Sequence, residues 1–149
     1  MGITVKEVWT NEDFDMMGWF EATIYNIQFP DLFREMTWDI DYIFNRLHKP
    51  EEREPDYLVA ACRLMFFEVS HLKFRLDFKE NILELEVQSM KRRAINPMED
   101  GTPLWFYYIR ANYGTISFVS TGFEMTIVQQ PVFSHEQDLG RPLDDDDDF

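Results

Sequence analysis

Asp39 and Asp41 stand two residues apart in the run Met36-Thr37-Trp38-Asp39-Ile40-Asp41-Tyr42. In an extended segment, residues i and i+2 project from one face. Two carboxylates so placed can act as an acid–base pair or hold a hard cation. Lys73 and Arg75 repeat the same spacing on another run. If both runs lay in one sheet, the four charges would form a cross-strand ladder, each exposed pair contributing about 0–1 kcal/mol. The ladder, or plain solvation, is the preferred reading. Asp39, Asp41 and Arg75 are the candidate binding residues, and no residue is assigned a catalytic role.

Other chemistry finds less support. Cys62 shares strand parity with Leu58, Ala60, Leu64 and Phe66, so it reads as a small buried hydrophobe rather than a nucleophile. His48 lies in an acidic loop, His135 in a polar segment, and His71 on the polar face of a strand or at its turn. No motif pairs any of them with Cys62. There is no C-x-x-C, H-x-H or H-E-x-x-H, so no metal or cofactor is implied. The six glycines are dispersed and form no phosphate cradle. Lys91-Arg92-Arg93 is the one basic triplet. It reads as a strand end dipping into solvent, or as a holder of an anion or of a partner's acidic surface.

The elements that must position these residues are strands. His71 to Phe78 alternates without a fault: Leu72, Phe74, Leu76 and Phe78 on one side, His71, Lys73, Arg75 and Asp77 on the other. Met36 to Tyr42, Leu83 to Gln88, Thr115 to Phe118 and Phe123 to Ile127 alternate in the same manner. Tyr57 to Val69, Leu104 to Ile109 and Trp19 to Phe29 are apolar on both faces, as in strands covered on both sides or with aromatics coating an exposed face. The Tyr57–Val69 run also admits a buried helix. Asn112-Tyr113-Gly114 predicts a tight hairpin with Gly at positive φ. Glu68 to His71 predicts a reversal, Gly122 a bulge in a long strand from Gly114 to Gln129, and Thr10 to Met17 a short capped helix. A further turn is expected near Ser134 to Leu139. His48 to Pro55 and Asn96 to Pro103 read as polar loops.

The fold class is therefore all-β: an antiparallel meander of seven or eight strands, sandwich or barrel-like, with minor helix. Residues 1–139 form one domain, and 140–149, with five consecutive aspartates, read as a disordered acidic tail.

Of the 149 residues, 28 are Asp or Glu and 14 Lys or Arg, giving a net charge of −14. Removing the five tail aspartates leaves about −9, so the body is acidic too. That balance points away from nucleic acid, which is held by neutralising phosphates, and toward a basic protein steered by charge. A 16% aromatic share suits an ordinary core, or a barrel lined for an apolar ligand. One cysteine, no basic-then-apolar leader and no long apolar run predict a cytoplasmic chain without a membrane span. Lys6 stands where a myristoylation motif needs Ser or Thr, so Gly2 is not read as an acylation site.

Asp15 to Tyr25, followed by Trp38 to Phe44, resembles a group of small uncharacterised bacterial β-rich proteins. They carry a Trp-His-Asp-type start and an Asp-Ile-Asp-Tyr-Ile strand. Here Phe20 and Glu21 stand in place of the His-Asp pair. The Val69–Phe78 strand and the overall length also look alike. The resemblance implies a single β-rich domain and no established activity; immunity proteins that bind toxins are an analogy. The expected function is a non-enzymatic protein-binding module, one form being an immunity-type protein that binds a basic toxin. The alternatives are a small apolar-ligand-binding β-barrel and a carboxylate-dependent enzyme.

Overall fold

Period-two patterning needs one apolar face to bury, and here a single sheet folds back on itself to supply the partner surface. The computed structural model describes residues 5–47, 56–78, 84–134 and 139–140. Its strands are β1 (Val8–Thr10), β2 (Thr23–Gln28), β3 (Met36–Leu47), β4 (Asp56–Phe67), β5 (Ser70–Leu76), β6 (Leu85–Ile95), β7 (Leu104–Ala111), β8 (Gly114–Ser120), β9 (Gly122–Ile127) and β10 (Val132–Ser134). Asn11–Met16 is a 3₁₀ helix, the one helical element among the described residues. All pairings are antiparallel, in the order β1-β9-β4-β3-β2-β6-β7-β8-β5, with β10 also on β4. The chain is all-β, and the sheet is open, ending in β1 and β5.

Among the described residues the strand count is ten rather than seven or eight. Two short strands, β1 and β10, were not read, and the run from Gly114 splits in two at Thr121. Two meanders, β2-β3-β4 and β6-β7-β8, are joined by a brief β2–β6 pairing at Thr23↔Glu86 and Ile24↔Leu85. They are joined again by the chain itself. β4 runs into β5, and β9 follows β8, as two long bent segments that stay paired with each other: Phe67↔Gly122 before the bend, Ser70↔Val119 after it. So Glu68 to His71 is a bend and not a reversal. Glu68 and His71 take φ of 48° and 54° there, turning the strand into the other half without pairing β4 to β5. The 114–129 strand breaks where Gly122 adopts φ +148°. A Cβ at Gly122 would lie 1.9 Å from the Asn11 side chain, so glycine is required at that close approach. Tyr57–Val69 resolves as strand: β4 pairs along its length with β3, leaving no helical alternative.

The core lies between the halves. Trp38 and Phe66 from β3 and β4 meet Tyr107 and Phe118 from β7 and β8, all fully buried. Ring centroids are 4.7 Å apart for Phe66–Phe118, 5.2 Å for Phe66–Tyr107 and 5.3 Å for Trp38–Phe66. Such contacts add about 0.5–1.5 kcal/mol each beyond area burial. The rings therefore pack on one another across the middle of the molecule. The 3₁₀ helix caps one end, its Asp13 carboxylate accepting the Thr10 N–H at 2.8 Å, while Phe14 drops onto Tyr107 and Phe123.

His48 to Pro55, Leu83, His135 and residues 141–149 lie outside the described residues.

Candidate functional site

The structure separates the three candidate residues. Asp39 and Asp41 do share the outer face of β3, but their surroundings differ. Asp41 is fully buried. Tyr25 Oη donates to its Oδ2 at 2.7 Å, and the Leu139 N–H donates to the same oxygen at 2.7 Å. The carboxylate thus ties the end of the described chain down onto β2 and β3. Asp39 is half-buried beside a cavity of about 590 Å³ whose lining includes Tyr25, Asn26, Ala61 and Leu139. Its cross-strand neighbours are Asn26 and Arg63. Arg75 sits on β5 in the other half. The expected ladder does not form, because β3 pairs with β2 and β4 while β5 pairs with β8.

Cys62 is buried, its Sγ donating to the Ala60 carbonyl at 3.5 Å. His71 lies exposed on β5, its Nδ1 3.0 Å from Ser70 Oγ, and no nucleophile–base pair arises between them. No group of three or more metal-ligating side chains occurs among the described residues. No helix among them is long and apolar enough to cross a membrane.

The basic triplet is divided by strand alternation. Arg92 points inward at the capped end. Its guanidinium lies 3.9 Å from the Trp105 ring centroid and 4.3 Å from that of Phe14. It donates to Asn11 Oδ1 at 2.9 Å, to the Asn11 carbonyl at 2.8 Å and to Tyr107 Oη at 3.1 Å. This is a structural cation, held by rings and neutral oxygens. Burial pushes the Tyr107 phenol above its ordinary range, and Arg92 opposes that rise by donating to the oxygen.

Lys91 and Arg93 point outward, into a surface that single-residue reading did not assemble. In register across the sheet run the rows Lys91–Tyr108–Ser117–Lys73 and Ser89–Arg110–Thr115–Arg75, with Arg93–Phe106–Val119 beside them. Strand spacing and rise place five cations within roughly 14 Å by 14 Å. All five are exposed, and none makes an ion pair among the described residues. Strands β5, β7 and β8 contain no Asp or Glu, and β6 contains only Glu86, at its junction with β2. Between Lys91, Arg93, Phe106 and Tyr108 opens a shallow cavity of about 390 Å³. The sign of this face is opposite to that of the chain. Its signal was the i, i+2 basic pairs at 73/75 and 91/93 together with Arg110, but only the pairing order brings them side by side.

A third feature lies in the β2–β3 turn. Asp31 Oδ1 accepts the N–H groups of Phe33 and Glu35 at 2.8 and 3.1 Å. The Arg34 N–H bonds the Asp31 carbonyl at 2.9 Å, and the Arg34 carbonyl accepts from Val69 N–H at 2.8 Å. The turn is thereby fixed at both its centre and its base. It holds Leu32 98% exposed and Phe33 75% exposed. Alternation of apolar and polar residues, which marks the strands, says nothing of this turn. The available signal was the presence of large apolar residues in a turn whose neighbours are polar.

Comparison with protein-family models, with curated proteins and with solved structures finds no match to this chain.

Proposed function

We propose that this chain is a protein-binding module and that the β2–β3 turn is its anchor. The observation that carries the reading is the braced turn presenting Leu32 and Phe33 to solvent. Exposing two large apolar side chains is unfavourable for an isolated protein, and their fixed backbone lowers the entropy lost on docking. Interface anchors have this form: apolar side chains that enter a partner's pocket, ringed by polar groups. Here the ring is mainly acidic. Glu35 follows the turn, Asp31 opens it, and Glu68 is brought beside it by the Val69–Arg34 hydrogen bond, with Arg34 as the one cation. The complementary partner is a basic protein with an apolar socket. An immunity-type role, with a basic toxin as partner, is the form of this reading suggested by the acidic body and by analogy.

The test is a binding assay of the native chain and the Leu32→Ser/Phe33→Ser variant against the basic proteins encoded beside its gene. Native binding that falls at least tenfold in the variant, with thermal stability unchanged, supports the proposal. Equal binding by the two chains moves the contact elsewhere and overturns it.

A further inference from the structure

The outer face of β5–β8 is independent of the β2–β3 turn and carries its own unmatched charge. We propose that this face is a docking surface for an acidic peptide segment, and that its resident occupant is the chain's own residues Leu143 to Phe149. Three observations converge on that occupant.

The first is charge. Lys73, Arg75, Lys91, Arg93 and Arg110 are exposed and make no ion pair among the described residues. Asp144 to Asp148 bring five carboxylates. A patch of one sign attracts a run of the other through the field of the whole group, with no single pair required.

The second is reach. Gly140 and Leu139 line the cavity beside Tyr25 and Asn26 of β2, and β2 is the strand paired to β6. Nine residues follow Gly140, spanning at most roughly 30 Å when extended. From Leu85, opposite Ile24, to Arg93 is eight residues along β6, roughly 27 Å. Residues 141–149 are thus long enough to follow β6 from the β2 junction to the basic rows. Anchoring of Leu139 by Asp41 fixes the starting point and raises the local concentration of the tail at the face.

The third is chemistry. The aspartate run is followed by Phe149. The far end of the face holds the cavity of about 390 Å³ between Lys91, Arg93, Phe106 and Tyr108, with Tyr108 41% exposed. A cationic rim around aromatic walls accepts an aromatic side chain that arrives with negative charge. Single-stranded nucleic acid also fits basic strands with aromatics. The tail is favoured because it is covalently present, with its start anchored at Leu139 and its local concentration at the face correspondingly high.

Amide NMR on the full chain tests this. The native protein is compared with a variant in which Asp144 to Asp148 are all replaced by Asn. Shift differences concentrated at Lys91, Arg93, Tyr108, Arg110 and Ser117 are expected. Raising salt from about 0.05 M to about 0.5 M should move the native signals toward those of the variant. The surface variant Lys91→Gln/Arg93→Gln should in turn shift the signals of 144–149. Differences confined to residues 141–149 overturn the proposal. A labelled single strand of about twelve nucleotides adds a second arm. Binding at least tenfold weaker to the native chain than to the Asn variant, or no binding by either, agrees with a face occupied by acidic peptide. Equal, measurable binding by both assigns the face to nucleic acid and overturns the tail as occupant.

Discussion

The two halves of the sheet turn opposite outer faces to their surroundings. On the β2–β3–β4–β9 half, Leu139 is tied to Asp41 and lines the cavity beside Asp39 and Ala61, so later chain covers part of the face. Among the residues whose side chains are described, its charged strand positions are Asp39, Asp41 and Glu124 with Arg63. On the β5–β8 half the described chain covers nothing, and the face is cationic. The same alternation rule produced the Asp39/Asp41 and Lys73/Arg75 pairs, and the same rule left them with different fates. One carboxylate became a buried anchor; both cations remained in solvent. Net charge is thus a property of a chain and not of its surfaces, and an argument from −14 about partners applies only to encounters that average over the whole molecule.

The contrast breaks first at its buried member. Asp41→Ala removes the acceptor of the Tyr25 hydroxyl and the Leu139 amide. Hydrogen bonds to a charged group are worth about 1.5–3 kcal/mol each, so a loss of about 3–4 kcal/mol is expected, seen as a melting temperature lowered by roughly 10 °C. Asp39→Ala should cost under about 1 kcal/mol. Similar losses at both positions would show that cover, and not charge alone, had been misjudged.

Within the basic triplet the same comparison can be sharpened between neighbours. Arg92→Ala removes three ring contacts, to Phe14, Trp105 and Tyr107, and three hydrogen bonds, with an expected loss of about 2–3 kcal/mol in urea unfolding. Lys91→Ala and Arg93→Ala, on the opposite side of the same strand, should each change stability by less than about 0.5 kcal/mol.

How much of this was legible in the residues follows from the range of the interactions. Strand existence and facing were readable because period-two burial is local: Leu72, Phe74 and Leu76 face the core and Lys73 and Arg75 face solvent, as their alternation predicts. The double-sided apolarity of Tyr57–Val69 announced cover on both sides, and Val59 and Ala61 are indeed buried on the outer face. Pairing order was not readable. β2–β6 and β5–β8 join segments far apart in the chain, and nothing in either strand names its neighbour. That is why an imagined ladder joined Asp39 and Asp41 to Lys73 and Arg75, and why the cationic rows went unassembled. The bend at Glu68–His71 was mistaken for a reversal because a bend and a turn use the same positive-φ residues.

A smaller effect belongs to the interior of the basic half. Burial raises the Tyr107 phenol above its unfolded value of 10.0, against the opposing pull of Arg92. The folded state therefore keeps this proton more tightly than the unfolded state does. The stability so contributed is complete below about pH 10 and is lost as pH rises from there through the folded value. Urea unfolding at pH 9 and pH 11, with phenolate absorbance followed in parallel, should show stability falling as one tyrosine ionises late. In Arg92→Ala that tyrosine should ionise later still, because the lowering influence is gone. Ionisation of every tyrosine in one step, without loss of stability, would place Tyr107 in solvent.

The smallest effect decides whether the basic face is bare or occupied. Arg110 lies between Ser89 and Thr115, with Arg75 two strands away in the same row. Two like charges about 10 Å apart in water repel by roughly 0.4 kcal/mol before screening. Salt at about 0.15 M cuts that about threefold. Summed over a few neighbours, Arg110→Gln should stabilise the chain carrying Asn at 144–148 by about 0.3 kcal/mol, a gain that disappears at about 1 M salt. If aspartates 144–148 dock as proposed, they compensate the face in the native chain, and the same substitution should then be neutral or slightly unfavourable at low salt. The readout is the difference between the two backgrounds as ionic strength rises. Opposite signs that converge at high salt mark a face whose charge is balanced by the tail. A loss above about 1 kcal/mol in the Asn background would instead reveal a carboxylate already paired with Arg110, and the contrast between the two halves would no longer hold.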